Sequence, residues 1–261
     1  MDKAMALLVE VKKSGWLSVA EAARHIDASP STAQRILATM RDRGFLTQRA
    51  DRRYGLGAEM SASAIYPPRV SAMRTVLAPL LVELTRVTGE TTHLVVLENT
   101  QVRYVDCSES PHPFRARPLT GSSMPSHCSA GGKAQLAVLP KRVVRSIYAQ
   151  GVPPWPFSKI TTLEQLETEL NEIRLGGYAT SIGETEGNMV GLGAAIIGQD
   201  GFPLGAITLA IPGARYGEMN EQELAAALMK TAEEGSRSLE SDSNQPMRPN
   251  STLRTVVTTD P

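Results

Sequence analysis

Apolar residues recur at helical spacing along the first part of the chain, and each recurrence is bracketed by start and stop signals. Met5, Leu7, Leu8 and Val11 make a first stripe, with Gly15 near its end. Val19, Ala22, Ala23 and Ile26 follow at i, i+3, i+4, i+7, the period of a one-sided helix. Ser18 and Glu21 form a capping box that starts it. The run Asp27-Ala28-Ser29-Pro30 breaks it, and Ser29 can cap the next helix with Pro30 in its first turn. Ala33, Ile36, Leu37 and Met40 are the stripe of that helix, and Gly44 is placed to end it. Residues 45–47 and 53–56 then read as two short strands. Two helices joined by a tight turn and followed by a small hairpin are the layout of a winged helix-turn-helix.

The polar positions of this segment are as informative as the apolar ones. Opposite the second stripe lie Ser31, Thr32, Gln34 and Arg35, with Ser29 just before them. A recognition helix enters the major groove by its N-terminal residues. There Gln suits adenine, Arg suits guanine, and hydroxyls suit phosphates or either base edge. Arg49, Arg52 and Arg53 form a basic hairpin tip suited to the DNA backbone or the edge of a groove. Between residues 30 and 53 there are six basic residues against two acidic ones. Residues 1–60 carry a net +3 and the remainder −3, so the overall neutrality conceals a polarised chain. A winged helix can also serve protein contacts alone. The charge bias favours double-stranded DNA as the partner of this one.

Beyond residue 57 the pattern changes. Residues 58–68 read as a linker helix ending in Pro67-Pro68. Val70, Met73, Leu77, Leu80, Leu81, Leu84 and Val87 then mark a long amphipathic helix closed by Gly89. Residues 91–98 and 101–107 are β-rich and separated by Asn99-Thr100, which predicts a hairpin. The run 108–125, rich in Pro, Ser and His, reads as an irregular loop. Helices are predicted over 130–139, 141–150 and 162–175, and strands over 177–182, 190–197 and 204–211. A final helix covers about 218–240. The predicted fold class is α+β. It comprises a winged helix-turn-helix at 1–57, the linker at 58–68, a domain at 69–241 of antiparallel sheet with packed helices, and a disordered tail at 242–261.

Composition limits the alternatives. The chain has 261 residues, room for one small and one ordinary domain. The low aromatic content, 5%, argues against base-stacking platforms for single strands. No signal segment and no uninterrupted apolar run of membrane-spanning length is present, which predicts a cytoplasmic protein without membrane contact. Two cysteines, Cys107 and Cys128, are too few for a disulfide framework. The run Ser129-Ala130-Gly131-Gly132-Lys133 lacks the spacing of a phosphate-binding loop. Lys133 therefore reads as structural or solvated, and Glu184 and Glu186 as loop or pocket-edge groups. His127-Cys128 has no partner motif for a metal or a catalytic thiol. No cofactor, metal or catalytic residue is expected.

Both halves together resemble the IclR family of bacterial transcription regulators, over about residues 4–240. In the first half the resemblance rests on Ser29, Ser31-Thr32, Arg35-Ile36-Leu37, Gly44-Phe45-Leu46 and Tyr54-x-Leu56-Gly57. In the second it rests on 124–137 (MPSHCSAGGKAQLA), Gly176-Gly177-Tyr178, Glu184 and 200–207 (DGFPLGAI). The resemblance implies a GAF-like effector domain and homodimers, or tetramers made as dimers of dimers, on palindromic operators. It further implies a small-molecule effector, an organic acid or aromatic metabolite, and repression more than activation. Carried over by position, the effector site would include Pro113, Ala116, Ala130, Gly131, Thr180, Gly191, Thr208 and Ala210. These small residues suggest a roomy, sparsely polar pocket. The rival readings are a redox- or metal-responsive regulator and an enzyme with a winged-helix oligomerisation domain.

Overall fold

The computed structural model describes residues 2–49, 51–57 and 68–241. The chain divides into two units, Met1–Ser71 and Ala72–Pro261. The expected linker at 58–67 and the tail at 242–261 lie outside the described residues.

In the N-terminal unit, helices α1 (Asp2–Ser14), α2 (Val19–His25) and α3 (Pro30–Asp42) precede strands β1 (Leu46–Gln48) and β2 (Tyr54–Leu56). Leu7, Val11, Ala22, Ala23, Ile26, Ala33, Leu37, Met40, Leu46 and Tyr54 form one core. Met5, predicted to pack inward, is instead 60% exposed. It sits half a turn from Leu7, so a stripe holding Leu7 and Val11 cannot also hold it. Phe45 lies outside β1 and is exposed, and both strands begin one residue later than the pattern suggests. Gly44, at φ +78°, ends α3.

The C-terminal unit is a single antiparallel sheet covered on both faces. It contains all but the first turn of α4 (Pro68–Thr88), then β3 (Thr91–Glu98), β4 (Gln101–Ser108), β5 (Ser123–Pro125), α5 (Ala130–Val138), α6 (Lys141–Ile147), α7 (Leu163–Gly176), β6 (Ala179–Ile182), β7 (Met189–Ile197), β8 (Pro203–Pro212), α8 (Gly213–Tyr216) and α9 (Glu221–Ser241). The strand order is β5-β4-β3-β8-β7-β6. Alternation sends Val95, Leu97 and Ala206 toward α5, α6 and α7. On the other face α9 brings Gly235 against Leu77 and Leu80 of α4 and Ile196 of β7. Pro68, predicted as a breaker, is the first residue of α4, where its missing N–H costs nothing. Val87, predicted in the α4 stripe, is exposed. The predicted loop 108–125 ends in a strand, because Val102 and Arg103 of β4 pair with Met124 and Ser123. Gly177, at φ +80°, caps α7, so β6 starts at Ala179 rather than at residue 177.

The start of α5 touches the sheet more closely than side chains normally allow. A Cβ on Gly193 would stand 2.5 Å from the Ala130 carbonyl carbon, and one on Gly131 would stand 2.6 Å from a Thr208 methyl. On the outer side, a Cβ on Gly132 would stand 2.3 Å from the Ser126 carbonyl oxygen. Backbone cannot retreat as a side chain can, so Gly132→Ala should destabilise the C-terminal unit by about 1–3 kcal/mol or more. Gly191→Ala should change stability by less than about 1 kcal/mol, because its nearest new neighbour is the Ala130 methyl at 3.4 Å. Chemical denaturation of the two variants beside the parent checks the contrast; equal losses would disprove it.

Candidate DNA interface and effector cavity

Helix α3 presents its N-terminal half to solvent because its other face is committed to the core. Ser29 caps it, accepting from the Thr32 N–H at 3.3 Å, with the Ser31 and Thr32 hydroxyls at 3.0 and 2.9 Å from the same oxygen. Ser29 is thus the hub of the cap rather than a free group. Ser31, Gln34 and Arg35 are exposed and Thr32 half-buried. These side chains form one polar surface.

The three predicted wing arginines have different roles. Arg52 is exposed at the tip, in the left-handed region at φ +63°. Arg49 lies over the Trp16 ring, 3.8 Å from its centroid, a cation–π contact that holds the guanidinium against the wing. A Cβ on Gly55 would meet that ring at 2.7 Å, so the wing needs glycine there. Arg53 turns inward. It donates to the Trp16 carbonyl at 3.1 Å and to Glu21 at 3.0 and 3.2 Å. Arg53 therefore anchors the wing instead of extending its basic tip.

A cavity of about 50 Å³ lies between the sheet and two loops in the C-terminal unit. The sheet register builds its floor. His93 stands opposite Thr208, Ala210 opposite Gly191, and Gly191 opposite Ser181. Tyr104, Met124, Ser129 and Ala130 close the sides. Ala116, Arg117 and Leu119 come from one loop, and Thr185, Glu186, Met189 and Val190 from the segment leading into β7. Ala116, Ala130, Gly191, Thr208 and Ala210 thus meet as the sequence suggested. Pro113 is exposed and does not line the cavity. Thr180 faces a separate groove beside α7, because it alternates with the inward-facing Ser181. Gly131 is absorbed in the contact of α5 with Val95 and Thr208. The cavity is smaller than its alanines and glycines imply, since Tyr104, Leu119, Met124 and Met189 fill the space they leave. Benzene-binding cavities run to roughly 150 Å³, so an aromatic guest requires the loops to part.

His93 was not singled out in the sequence, yet it is the most unusual lining group. It is fully buried, and neither ring nitrogen has a hydrogen-bond partner in the protein. Burial pushes its pKa down to about 4, against a weaker upward pull from the neighbouring Arg117 backbone. The one available signal was a polar residue at a position that alternation otherwise assigns to Val95 and Leu97. Arg117 donates to Glu186 at 2.7 and 3.2 Å, joining the two loops.

Beside the cavity a second polar cluster surrounds a buried ammonium. Lys133, expected to be structural or solvated, has a side chain with no solvent exposure and donates to both Glu184 oxygens at 3.0 Å and to Glu169. Burial raises the Glu184 pKa, and Lys133 opposes that rise.

Comparison with known proteins agrees with this arrangement. The family profile described as "Bacterial transcriptional regulator IclR C-terminal" matches residues 69–237, and "IclR helix-turn-helix domain" matches 2–50. The chain belongs to the IclR family. It is 35% identical over 218 residues to the transcriptional regulator Rv1719 of Mycobacterium tuberculosis, covering 82% of each. It is 26% identical over 241 residues to the transcriptional repressor IclR of Escherichia coli, covering 90% of this chain and 87% of that one. Among solved structures, IclR of Thermotoga maritima superposes with a TM-score of 0.76 at 27% identity, covering 91% and 97% of the two chains. An IclR homologue from Microbacterium hydrocarbonoxydans, solved with 4-hydroxybenzoate, shares the fold at a TM-score of 0.71 and 20% identity, covering 92% and 100%. As an IclR-family member the chain is a DNA-binding transcription regulator with a ligand-binding C-terminal domain, and its relatives are regulators rather than enzymes.

The thiols of this IclR-family protein are poorly suited to redox sensing. Burial pushes Cys107 up to about 12 and Cys128 up to about 11, so little thiolate is present at neutral pH. Among the described residues no group of three or more His, Cys, Asp or Glu side chains could hold a metal, and no helix is long and apolar enough to cross a membrane.

His127, like His93, is buried with both ring nitrogens unpartnered, and burial and then the Lys133 charge push its pKa down to about 4. A histidine depressed in the folded state stabilises above its unfolded pKa of about 6.5 and loses that contribution as pH falls toward 4. Each ring should therefore cost roughly 3 kcal/mol of stability across that window. Denaturation midpoints at pH 7 and 4.5 should converge in His127→Phe relative to the parent; an unchanged pH slope would refute this.

Proposed function

We propose that this protein represses transcription by binding a palindromic operator as a homodimer or dimer of dimers, and that an organic acid bound in the cavity resets that binding. The observation that carries the DNA reading is the exposed N-terminal half of α3. There Arg35 and Gln34 have the chemistry to read guanine and adenine, and Ser31 and Thr32 to hold the phosphate backbone. Arg52 and Arg49 then contact the backbone from the wing. Met5 and Val9, 60% and 54% exposed on α1, offer an apolar stripe for pairing two copies. Repression follows the Escherichia coli relative. The 4-hydroxybenzoate bound by the Microbacterium homologue supports the acid class. An effector acts by binding one arrangement of the dimer better than another.

Arg35→Ala should weaken operator binding by about 1–3 kcal/mol and relax base preference, whereas Arg52→Ala should weaken operator and random DNA alike and reduce the salt slope by about 1. Titrations of both DNAs at several salt concentrations check this; an Arg35→Ala protein with unaltered preference would remove Arg35 as a base reader. Gly191→Val, which projects into the cavity, should abolish the effector response and leave operator binding of the free protein intact. A normal response in that variant would show that the effector binds elsewhere.

A further inference from the structure

The cavity holds two polar groups of different character. At its buried end stands the neutral imidazole of His93, which carries one donor and one acceptor. The Tyr104 ring stands edge-on to it, with centroids 5.1 Å apart, and across the floor of the cavity Ser181 is already engaged, donating to the Cys128 carbonyl at 2.7 Å. The Arg117 backbone is beside the ring and can take its N–H. The second nitrogen is then an acceptor sealed from water, and buried acceptors require a donor. At the solvent side the Arg117 guanidinium, 66% exposed, is held by one oxygen of Glu186. That pair is a loop-to-loop contact that an incoming carboxylate can replace in kind, since Arg recognises carboxylates bidentately. Leu119, Met124 and Tyr104 give the space between an apolar wall.

We propose that the cavity takes a hydroxy acid, whose hydroxyl donates to His93 and whose carboxylate displaces Glu186 from Arg117. This rests on the reading of the cavity as the effector site. The proposal assigns the specificity of the site to two residues, one for each end of the ligand. It also makes Glu186 an internal competitor, a tethered carboxylate that occupies the arginine until a free one replaces it. Displacement releases the segment 183–188 from the loop that carries Ala116 and Arg117. Glu184 still tethers that segment to Lys133.

The test is calorimetric titration of the full chain with two matched sets of probes. One is glycolate, acetate and glycolamide. The other is 4-hydroxybenzoate, benzoate and 4-hydroxybenzamide. In at least one set the hydroxy acid should bind about tenfold or more tightly than the acid lacking the hydroxyl. That preference should vanish in His93→Phe and persist in part in His93→Gln, which keeps a donor and an acceptor. Arg117→Met should weaken the acids about tenfold and leave the amide unchanged, and Glu186→Gln should tighten the acids severalfold. Equal binding of acids with and without the hydroxyl would overturn the inference. So would variants of Arg117 and Glu186 that shift acid and amide alike. If Gly191→Val abolishes acid binding while the His93, Arg117 and Glu186 variants bind like the parent, the cavity reading stands and the hydroxy-acid inference fails; if acids bind the parent and Gly191→Val alike and the other variants have no effect, the cavity reading itself fails. Binding of no probe at millimolar concentration would overturn both.

Discussion

Lys133 buries its ammonium completely, and only carboxylates make such burial tolerable. Glu184 reaches it from the turn after β6, and Glu169 from α7. Three elements distant in sequence therefore have a fixed meeting point. Because Lys133 lies one turn into α5, that meeting point also sets where the helix begins over the sheet. The glycines on either side then let backbone approach backbone. The cavity occupies the space just beyond, where the small residues stop and His93, Tyr104 and Met124 begin. Such a pair adds little net stability, since burying charge offsets most of its attraction, but losing one partner strands the other. Its main effect is to define a single packing arrangement.

The N-terminal unit uses a carboxylate in a comparable way. Glu21 accepts the Ser18 N–H at 2.7 Å to complete the capping box of α2, and the same carboxylate receives Arg53 from the wing. Its hydrogen bonds with Ser18, with the nearby Arg53 charge adding to them, hold its pKa below the usual carboxylate range. The start of α2 and the root of the hairpin are therefore tied at one residue. Arg49 stacked on Trp16 holds the next turn of the hairpin. The wing is short, yet its orientation relative to α2 is specified twice.

What the sequence revealed follows from which signals are local. Caps, stripes and turns act within a few residues, so α2, α3, α7 and the β3–β4 hairpin were legible with their ends nearly correct. β5 was not, because a three-residue strand is created by its partner β4 and carries no period of its own. The Arg53–Glu21 pair is illegible for a related reason: charge in a basic run says nothing about which side chain finds a carboxylate 32 residues away. The resemblance brought Ala116, Ala130, Gly191, Thr208 and Ala210 to one place. It did not bring Thr180 there, since one step along a strand reverses the facing side. His93 and Lys133 were visible as residues but not as buried ones, since burial of a polar group depends on contacts made across the fold.

The sheet also ends in a manner that affects how the molecule behaves in a crowded solution. Its two outermost strands are its shortest. β5 has three residues and closes on Pro125, and β6 has four and ends at Gly183, whose φ of +69° turns the chain away. An unpaired strand edge is a template on which another chain can add. Here the exposed length at either side is too small to seed such growth, and proline removes a donor from one of them. The long strands β3, β7 and β8, apolar enough to aggregate if laid bare, lie in the interior of the order. The strands most able to template aggregation are thus shielded by the placement of the least regular ones.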